Sequence, residues 1–468
     1  MHALIALFAA LFMATPSLAQ TVTDGSLTVT AVLPPSSLEA PTTMAFVAPN
    51  DFLVLERFTG KVRRVLNGVL QGTIALDVPV STSGEQGLLG IAVNTATPRA
   101  VFLFYTEAAT DGGPALGNRV YRYTWNATTG LLESPQLILD LPVTPGPNHD
   151  GGVLAMGHPS DGGSAGDGAF LHVVIGDLNR TGKLQNQTGG GEPDDTGVIL
   201  RVEQDGAPAA GNPFSPYCTN QTTLTCDDDS DCGANGPCRL EVASYFAYGV
   251  RNSFGMARDP QTGDLWMTEN GQNDYDEVNR VPPGWNSGWS QIMGPDARDA
   301  QGVGDLWDMP GAGSTYSDPE FSWLATIAPT GIAFPFGSSL GDAYDDVAIV
   351  GDSNLGQLYA FPLDGGRTAF DLTGFTGVSD LVADNVTERN QFRIGSGFAV
   401  ITDLELGPDR NLYVVSHAGG TIYRISGPDP GPIPVPGLPF AGVVVLGLVL
   451  CGAGVIALGR PPATYANG

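Results

Sequence analysis

With 468 residues, 49 acidic against 21 basic side chains and a formal charge of -28, the chain is too acidic to hold nucleic acid or an anionic membrane surface by charge. Its 63 Gly, 36 Pro and 42% hydrophobic residues point to short strands joined by many turns, with ample apolar material for a core. Such a length accommodates two or three average domains or one propeller.

The chain opens on the apolar run ALIALFAALFMA, and Ser17-Leu18-Ala19 fits a small-residue cleavage pattern. Residues 1–19 therefore read as a secretory signal peptide, although no Lys or Arg precedes the run. Beyond it come six loosely similar units at 44–65, 88–123, 153–177, 254–281, 331–363 and 404–425. Each holds an apolar strand, a short turn and a second strand ending in a polar residue, often with a third strand. Their spacing is irregular, so periodicity alone supports an all-β repeat architecture over about 24–427.

Two turns between units carry candidate chemistry. One is Glu85-Gln86-Gly87-Leu88-Leu89-Gly90, and the other is Asn148-His149-Asp150-Gly151-Gly152. His149 is one of five histidines in the chain, and from the residues alone a structural and a catalytic histidine both fit.

Four of the five cysteines, Cys218, Cys226, Cys232 and Cys238, fall in the segment CTNQTTLTCDDDSDCGANGPC. In an exported chain an even local count implies two disulfides, with three connectivities open. The spacing lacks a CxxC pair, which disfavours zinc. Residues 205–239 read as a disulfide-stapled insertion in a propeller loop.

The stretch 245–289 is the densest in candidate chemistry. Arg251 and Asn252 precede a Gly and a short strand; a Pro-Gln-Thr-Gly turn leads to the strand 265–268; and a loop rich in oxygen ligands follows, with Glu269, Asn270, Asn273, Asp274, Asp276 and Glu277. Spacing alone fits a Ca²⁺ site and a solvated acidic turn equally. At the far end, the Pro-rich 428–437 gives way to an apolar run at 438–460 that closes on Arg460. That run is long enough to span a bilayer as a helix. Its layout resembles the C-terminal sorting tags of bacterial surface proteins of the PEP-CTERM type, and a permanent anchor fits as well.

The runs GVRNSFG, DPQTGDLW, ENGQNDYDEVN and GWNSGW occur in the order seen in the glucose/sorbosone dehydrogenase family, which this chain resembles over about 40–425. The resemblance implies a six-bladed β-propeller using pyrroloquinoline quinone (PQQ) and Ca²⁺ to oxidise a sugar. Its motifs are densest at 84–92, 148–152 and 249–289. Position by position, it implies His149 as general base, Arg251 as its electrostatic partner, and Arg251 and Asn252 as contacts to substrate and quinone. It further implies Glu85 and Asn148 as substrate contacts, and the backbone carbonyls of Gly271 and Gln272 as ligands of the Ca²⁺ that holds the cofactor. A quinone or cytochrome would then take the electrons.

The chain departs from the family where further cations are expected. Asn354 stands where a Lys binds the quinone, and Val400 and Thr402 stand where two Arg do; Arg389 and Arg393 lie shortly upstream. PQQ carries three carboxylates, so these changes remove charge pairing. Two readings follow: an exported PQQ- and Ca²⁺-dependent aldose dehydrogenase, and a Ca²⁺-stabilised surface propeller that binds without catalysis.

Overall fold

The computed structural model describes residues 20–157, 170–310 and 313–428. The expected signal peptide at 1–19 and the C-terminal segment from 429 onward lie outside the described residues. Among the described residues no helix is long and apolar enough to cross a membrane.

The protein is an all-β propeller. Its sheets follow one another along the chain, each beginning at an inner strand and stepping outward by antiparallel neighbours, with a parallel outermost strand in two of them. The inner strands are Pro41–Ala48, Leu88–Val93, Leu154–Met156, Gly255–Arg258, Pro329–Ala333 and Ile401–Leu406. Each packs against the next, and Ile401–Leu406 returns to Pro41–Ala48, so they close a ring around a channel. The ring is tight: a Cβ on Gly255 would lie 1.8 Å from the Thr330 carbonyl oxygen, so only glycine lets these two inner strands approach.

Second strands explain why the repeat was legible. Asp51–Glu56, Phe170–Ile175, Leu265–Glu269, Val347–Asp352 and Leu412–Ser416 are buried along their whole length. A strand covered on both faces carries a nearly continuous apolar run rather than an alternating one. Third strands such as Lys61–Leu66 mix buried and half-buried positions. The core is correspondingly divided into wedges between adjacent sheets. Leu53, Val62, Val101 and Leu103 fill one wedge, and Trp266, Phe321, Tyr359 and Phe361 fill another.

Closure uses the N-terminal segment. Thr28–Ala31 pairs antiparallel with Thr421–Ser426, adding an outer strand to the sheet built from the last three strands. Thr21–Val22 does the same for Arg393–Ser396. The ring is thereby fastened by strands from opposite ends of the described chain.

The unit expected at 153–177 proves longer. Its sheet continues through Val198–Glu203 to Tyr245–Tyr248 and a parallel outer strand Trp285–Asn286. The cysteine-rich insertion leaves between Val198–Glu203 and Tyr245–Tyr248, so it interrupts two adjacent strands of one sheet. Within it Tyr217–Cys218 and Gln221–Thr225 form a small hairpin. Of the three open connectivities, the structure has Cys218–Cys232 and Cys226–Cys238. These cross-links give the insertion a sulfur-centred core of its own, with Leu224 packed against it.

Candidate active site

The loops that lead into the inner strands carry the predicted residues. Glu85 precedes Leu88–Val93, His149 precedes Leu154–Met156, and Arg251 and Asn252 precede Gly255–Arg258. The channel they adjoin holds a cavity of about 600 Å³, lined by residues of every inner strand and, at this end, by Arg57, Glu85, Val400, Thr402 and His417.

Three residues far apart in sequence meet through one carboxylate. Glu85 Oε2 accepts the backbone N–H of His149 at 2.7 Å and the Asn252 Nδ2–H at 2.9 Å. Its other oxygen accepts no hydrogen bond among the described residues, and the side chain faces the cavity. His149 sits at φ +64°, a conformation a non-glycine residue adopts at a cost and keeps when its surroundings enforce it. Here the Glu85 carboxylate enforces it from the backbone side.

The imidazole is fixed from the other side by a residue that sequence reasoning missed. Asp177 Oδ1 lies 2.6 Å from His149 Nδ1, and the same oxygen accepts the Asn179 N–H at 2.7 Å. Asp177 Oδ2 accepts the Trp289 indole N–H at 2.7 Å. An ionised carboxylate only accepts, so His149 Nδ1 donates its hydrogen to Asp177, and in the neutral imidazole Nε2 is the nitrogen with the lone pair. Asp177 and His149 are both buried, at 2% and 9% exposure. Asp177 closes the strand Phe170–Ile175 after one intervening glycine, which is the polar strand-end position shared by the repeat units; that signal was present in the sequence.

Arg251 is held in three ways. Its backbone N–H donates to Glu269 Oε1 at 2.6 Å, its Nη1 donates to the Asn270 carbonyl at 2.8 Å, and its guanidinium stacks 5.2 Å from the Trp289 ring centroid. No carboxylate lies within ion-pair distance of its guanidinium among the described residues. Burial draws the Arg251 guanidinium below its ordinary value, opposed by the surrounding carboxylates of Asp177, Glu269 and Glu85. Its Nε and the Asn252 Oδ1 are buried without a hydrogen-bond partner. Two orphaned polar atoms at one site mark where a polar ligand completes the network.

The acidic loop is solvated only at its tip, where Gln272, Asn273 and Asp274 are exposed. Glu269, Asp276 and Glu277 are buried. Asp276 accepts the N–H groups of Gly271, Ile327 and Ala328, and Glu277 accepts that of Gly294. These carboxylates pin the loop so that Gly271 and Gln272 present carbonyls that accept no hydrogen bond among the described residues. A Cβ on Gly271 would lie 2.0 Å from the Asp274 carbonyl oxygen, so the turn requires glycine.

Other predicted positions fall outside this cluster. Asn148 is exposed, with its Oδ1 beside Gly84. Asn354 is exposed, with its backbone N–H on the Ile327 carbonyl. Thr402 lines the cavity and donates its hydroxyl to the Pro41 carbonyl at 3.2 Å. Arg389 and Arg393 act on Tyr359, with Arg389 also acting on Asp352, and neither lines the cavity.

Asp150, next to His149, is fully buried and accepts the Asn118 amide at 2.9 Å. Burial raises its carboxyl to about 7. A carboxyl raised above its unfolded value near 4 favours the fold while protonated, and that contribution is lost as pH rises through 7. Asp150→Asn removes the titration. Between pH 5 and 8 the melting temperature of the wild type is expected to fall more steeply than that of Asp150→Asn; parallel melting curves across this range would refute the assignment.

Residues 38–424 match the model of the family described as Glucose / Sorbosone dehydrogenase. Over 311 residues the chain is 30% identical to the uncharacterized protein slr1608 of Synechocystis sp. (strain ATCC 27184 / PCC 6803 / Kazusa), covering 63% of this chain and 66% of that protein. It is 24% identical over 405 residues to the aldose sugar dehydrogenase YliI of Escherichia coli (strain K12), covering 83% and 90%. It is 26% identical over 282 residues to the quinoprotein glucose dehydrogenase B of Acinetobacter calcoaceticus, covering 55% and 52%. In fold it is similar to the PQQ-bound form of an aldose sugar dehydrogenase from Streptomyces coelicolor, with a TM-score of 0.56, 23% identity, and coverage of 87% of this chain and 99% of that one.

Proposed function

Because the chain belongs to the Glucose / Sorbosone dehydrogenase family, we propose that it is an exported, PQQ- and Ca²⁺-dependent aldose dehydrogenase built on a six-bladed propeller. The sheets around the closed ring of inner strands support the blade count. The apolar start of the chain and the two disulfides of the insertion support export. The propeller would span 24–427, with the Pro-rich 428–437 linking it to a sorting or anchoring segment at 438–460.

The observation that carries the reading is the chain Trp289–Asp177–His149, with the His149 backbone clamped by Glu85. His149 Nε2, kept as an acceptor by the donation of Nδ1–H to Asp177, removes the hydroxyl proton of a sugar as hydride leaves the carbon. Arg251 stabilises the oxygen on which negative charge develops, and its guanidinium cannot drift because Trp289 and the Asn270 carbonyl hold it. The free oxygen of Glu85 accepts a neighbouring sugar hydroxyl, and Asn148 meets the sugar at the rim.

The residues present fit the cofactor. The orphaned Arg251 Nε and Asn252 Oδ1 supply polar partners for a heteroatom-rich aromatic ligand, and the unengaged carbonyls of Gly271 and Gln272 are hard oxygen donors of the kind Ca²⁺ takes. PQQ, when bound, supplies the hydride acceptor. A quinone or cytochrome then receives the electrons.

Calorimetric titration of the full chain with PQQ in the presence of Ca²⁺, followed by dye reduction on an aldose panel, tests the reading. Saturable uptake with turnover is expected. Absence of uptake, with Ca²⁺ still raising the melting temperature, would replace the dehydrogenase with a non-catalytic surface propeller.

A further inference from the structure

Among the described residues three basic side chains line the central cavity, and two are already committed. Arg258, at the far end of Gly255–Arg258, donates to the Gly263 carbonyl and contacts the His172 ring. His417 has its Nδ1 3.1 Å from the Pro41 carbonyl oxygen and is depressed by burial, so it is neutral near pH 7. The third, Arg57, stands at the same end of the channel as His149 and Arg251.

The geometry of Arg57 differs from that of a structural arginine. Its Nε donates to the Gln86 carbonyl at 3.1 Å and its Nη2 to the Gly84 carbonyl, so it grips the loop that carries Glu85 from both sides. Its Nη1 makes no hydrogen bond among the described residues, and no carboxylate lies within ion-pair distance. The guanidinium carbon lies 4.6 Å from the centroid of the Phe58 ring, which is 38% exposed and meets the His417 ring edge-on at 6.2 Å. A cation stacked on an exposed aromatic ring, with one donor edge unspent, is preorganised for a carboxylate attached to a flat ring.

We infer that Arg57 is a second cationic anchor of the site, held on the loop that carries Glu85, and that its free Nη1 edge holds a carboxylate of the anionic quinone. This rests on the dehydrogenase reading above. It also accounts for a cavity mouth where Val400 and Thr402 bring no charge: the positive charge comes from the first sheet instead of the last.

The test is the affinity for PQQ with Ca²⁺, measured by calorimetry on the full-length wild type, Arg57→Gln and Arg57→Lys at low and high NaCl. Loss of a charge-assisted hydrogen bond weakens binding roughly tenfold to a hundredfold. Arg57→Gln is expected to lose this much at low salt and less at high salt, and Arg57→Lys, which keeps the charge but not the fixed donor edge, is expected to lose less than Arg57→Gln. Equal weakening in both variants, or a loss unchanged by salt, would make Arg57 a clamp on the Glu85 loop and overturn the assignment. Unchanged PQQ affinity with a KM raised only for a carboxylate-bearing aldose such as glucuronate would move the contact to the substrate and equally overturn it. A wild type that takes up no PQQ removes the dehydrogenase reading and this inference together, whereas uptake equal in wild type and Arg57→Gln removes only the inference.

Discussion

His149→Asn is expected to lower kcat for aldose oxidation by about 10²- to 10⁴-fold, the range general-base removal covers, while leaving the apo melting temperature within a few degrees of the wild type. Asn is the appropriate replacement because the backbone at this position has φ +64°, which Asn tolerates better than Ala. It also leaves the backbone N–H in place for Glu85 Oε2. The comparison therefore isolates the imidazole: what Asn lacks is a basic nitrogen at the Nε2 position. Measured by dye reduction at saturating PQQ and Ca²⁺, the loss should fall mainly on kcat, since proton removal belongs to the transition state. Turnover at the wild-type rate would take His149 out of the mechanism and leave it as a buried structural residue.

The parts of the fold that could be read from sequence are those whose burial is uniform. Strands such as Phe170–Ile175 and Val347–Asp352 are covered on both faces, so their apolar runs announce them whatever their neighbours are. Outer strands are a different matter: Val69–Asp77 mixes exposed and buried positions, and Thr21–Val22 and Thr28–Ala31 are too short and polar to register. Their role in closing the ring is set by partners nearly four hundred residues away. The disulfide pairing was open for the same reason, because four cysteines in one loop leave the choice to tertiary geometry.

The site divides along the same line. Glu85, His149, Asn252 and Arg251 were legible through motifs that lie in the loops entering inner strands, and the structure brings them together. Asn148 was placed by the family resemblance as a substrate contact; the residue after it has left-handed backbone, and Asn148 is exposed. The contacts that Asp177 and Arg57 make were missed for the opposite reason. Asp177 closes the strand paired with Leu154–Met156, 28 residues on from His149, and Arg57 follows a strand of a different sheet from the Glu85 loop, so no local spacing records either contact.

Asp177→Asn tests whether that invisible contact matters as much as the motif it serves. The carboxylate accepts from three donors, His149 Nδ1–H, Asn179 N–H and Trp289 Nε1–H. An amide offers one acceptor oxygen and an NH₂ group, so at least one donor must face another donor. If the NH₂ faces His149, the imidazole must hand its proton to Nε2 to accept at Nδ1, and the nitrogen facing the substrate is then no longer a base. The expected result is a fall in kcat/KM of roughly 10²- to 10⁴-fold, comparable to loss of the histidine itself, with a cost of about 1–3 kcal/mol in stability from the mispaired buried donor. The two effects separate by measurement, since denaturant unfolding reports the second and dye reduction by the folded fraction reports the first. If Asp177→Asn is destabilised but turns over normally while His149→Asn is inactive, Asp177 supports the loop and not the tautomer. If both variants are equally inactive and the double variant is no worse than either, the two residues act as one unit, and the base of this site is the Asp177–His149 pair.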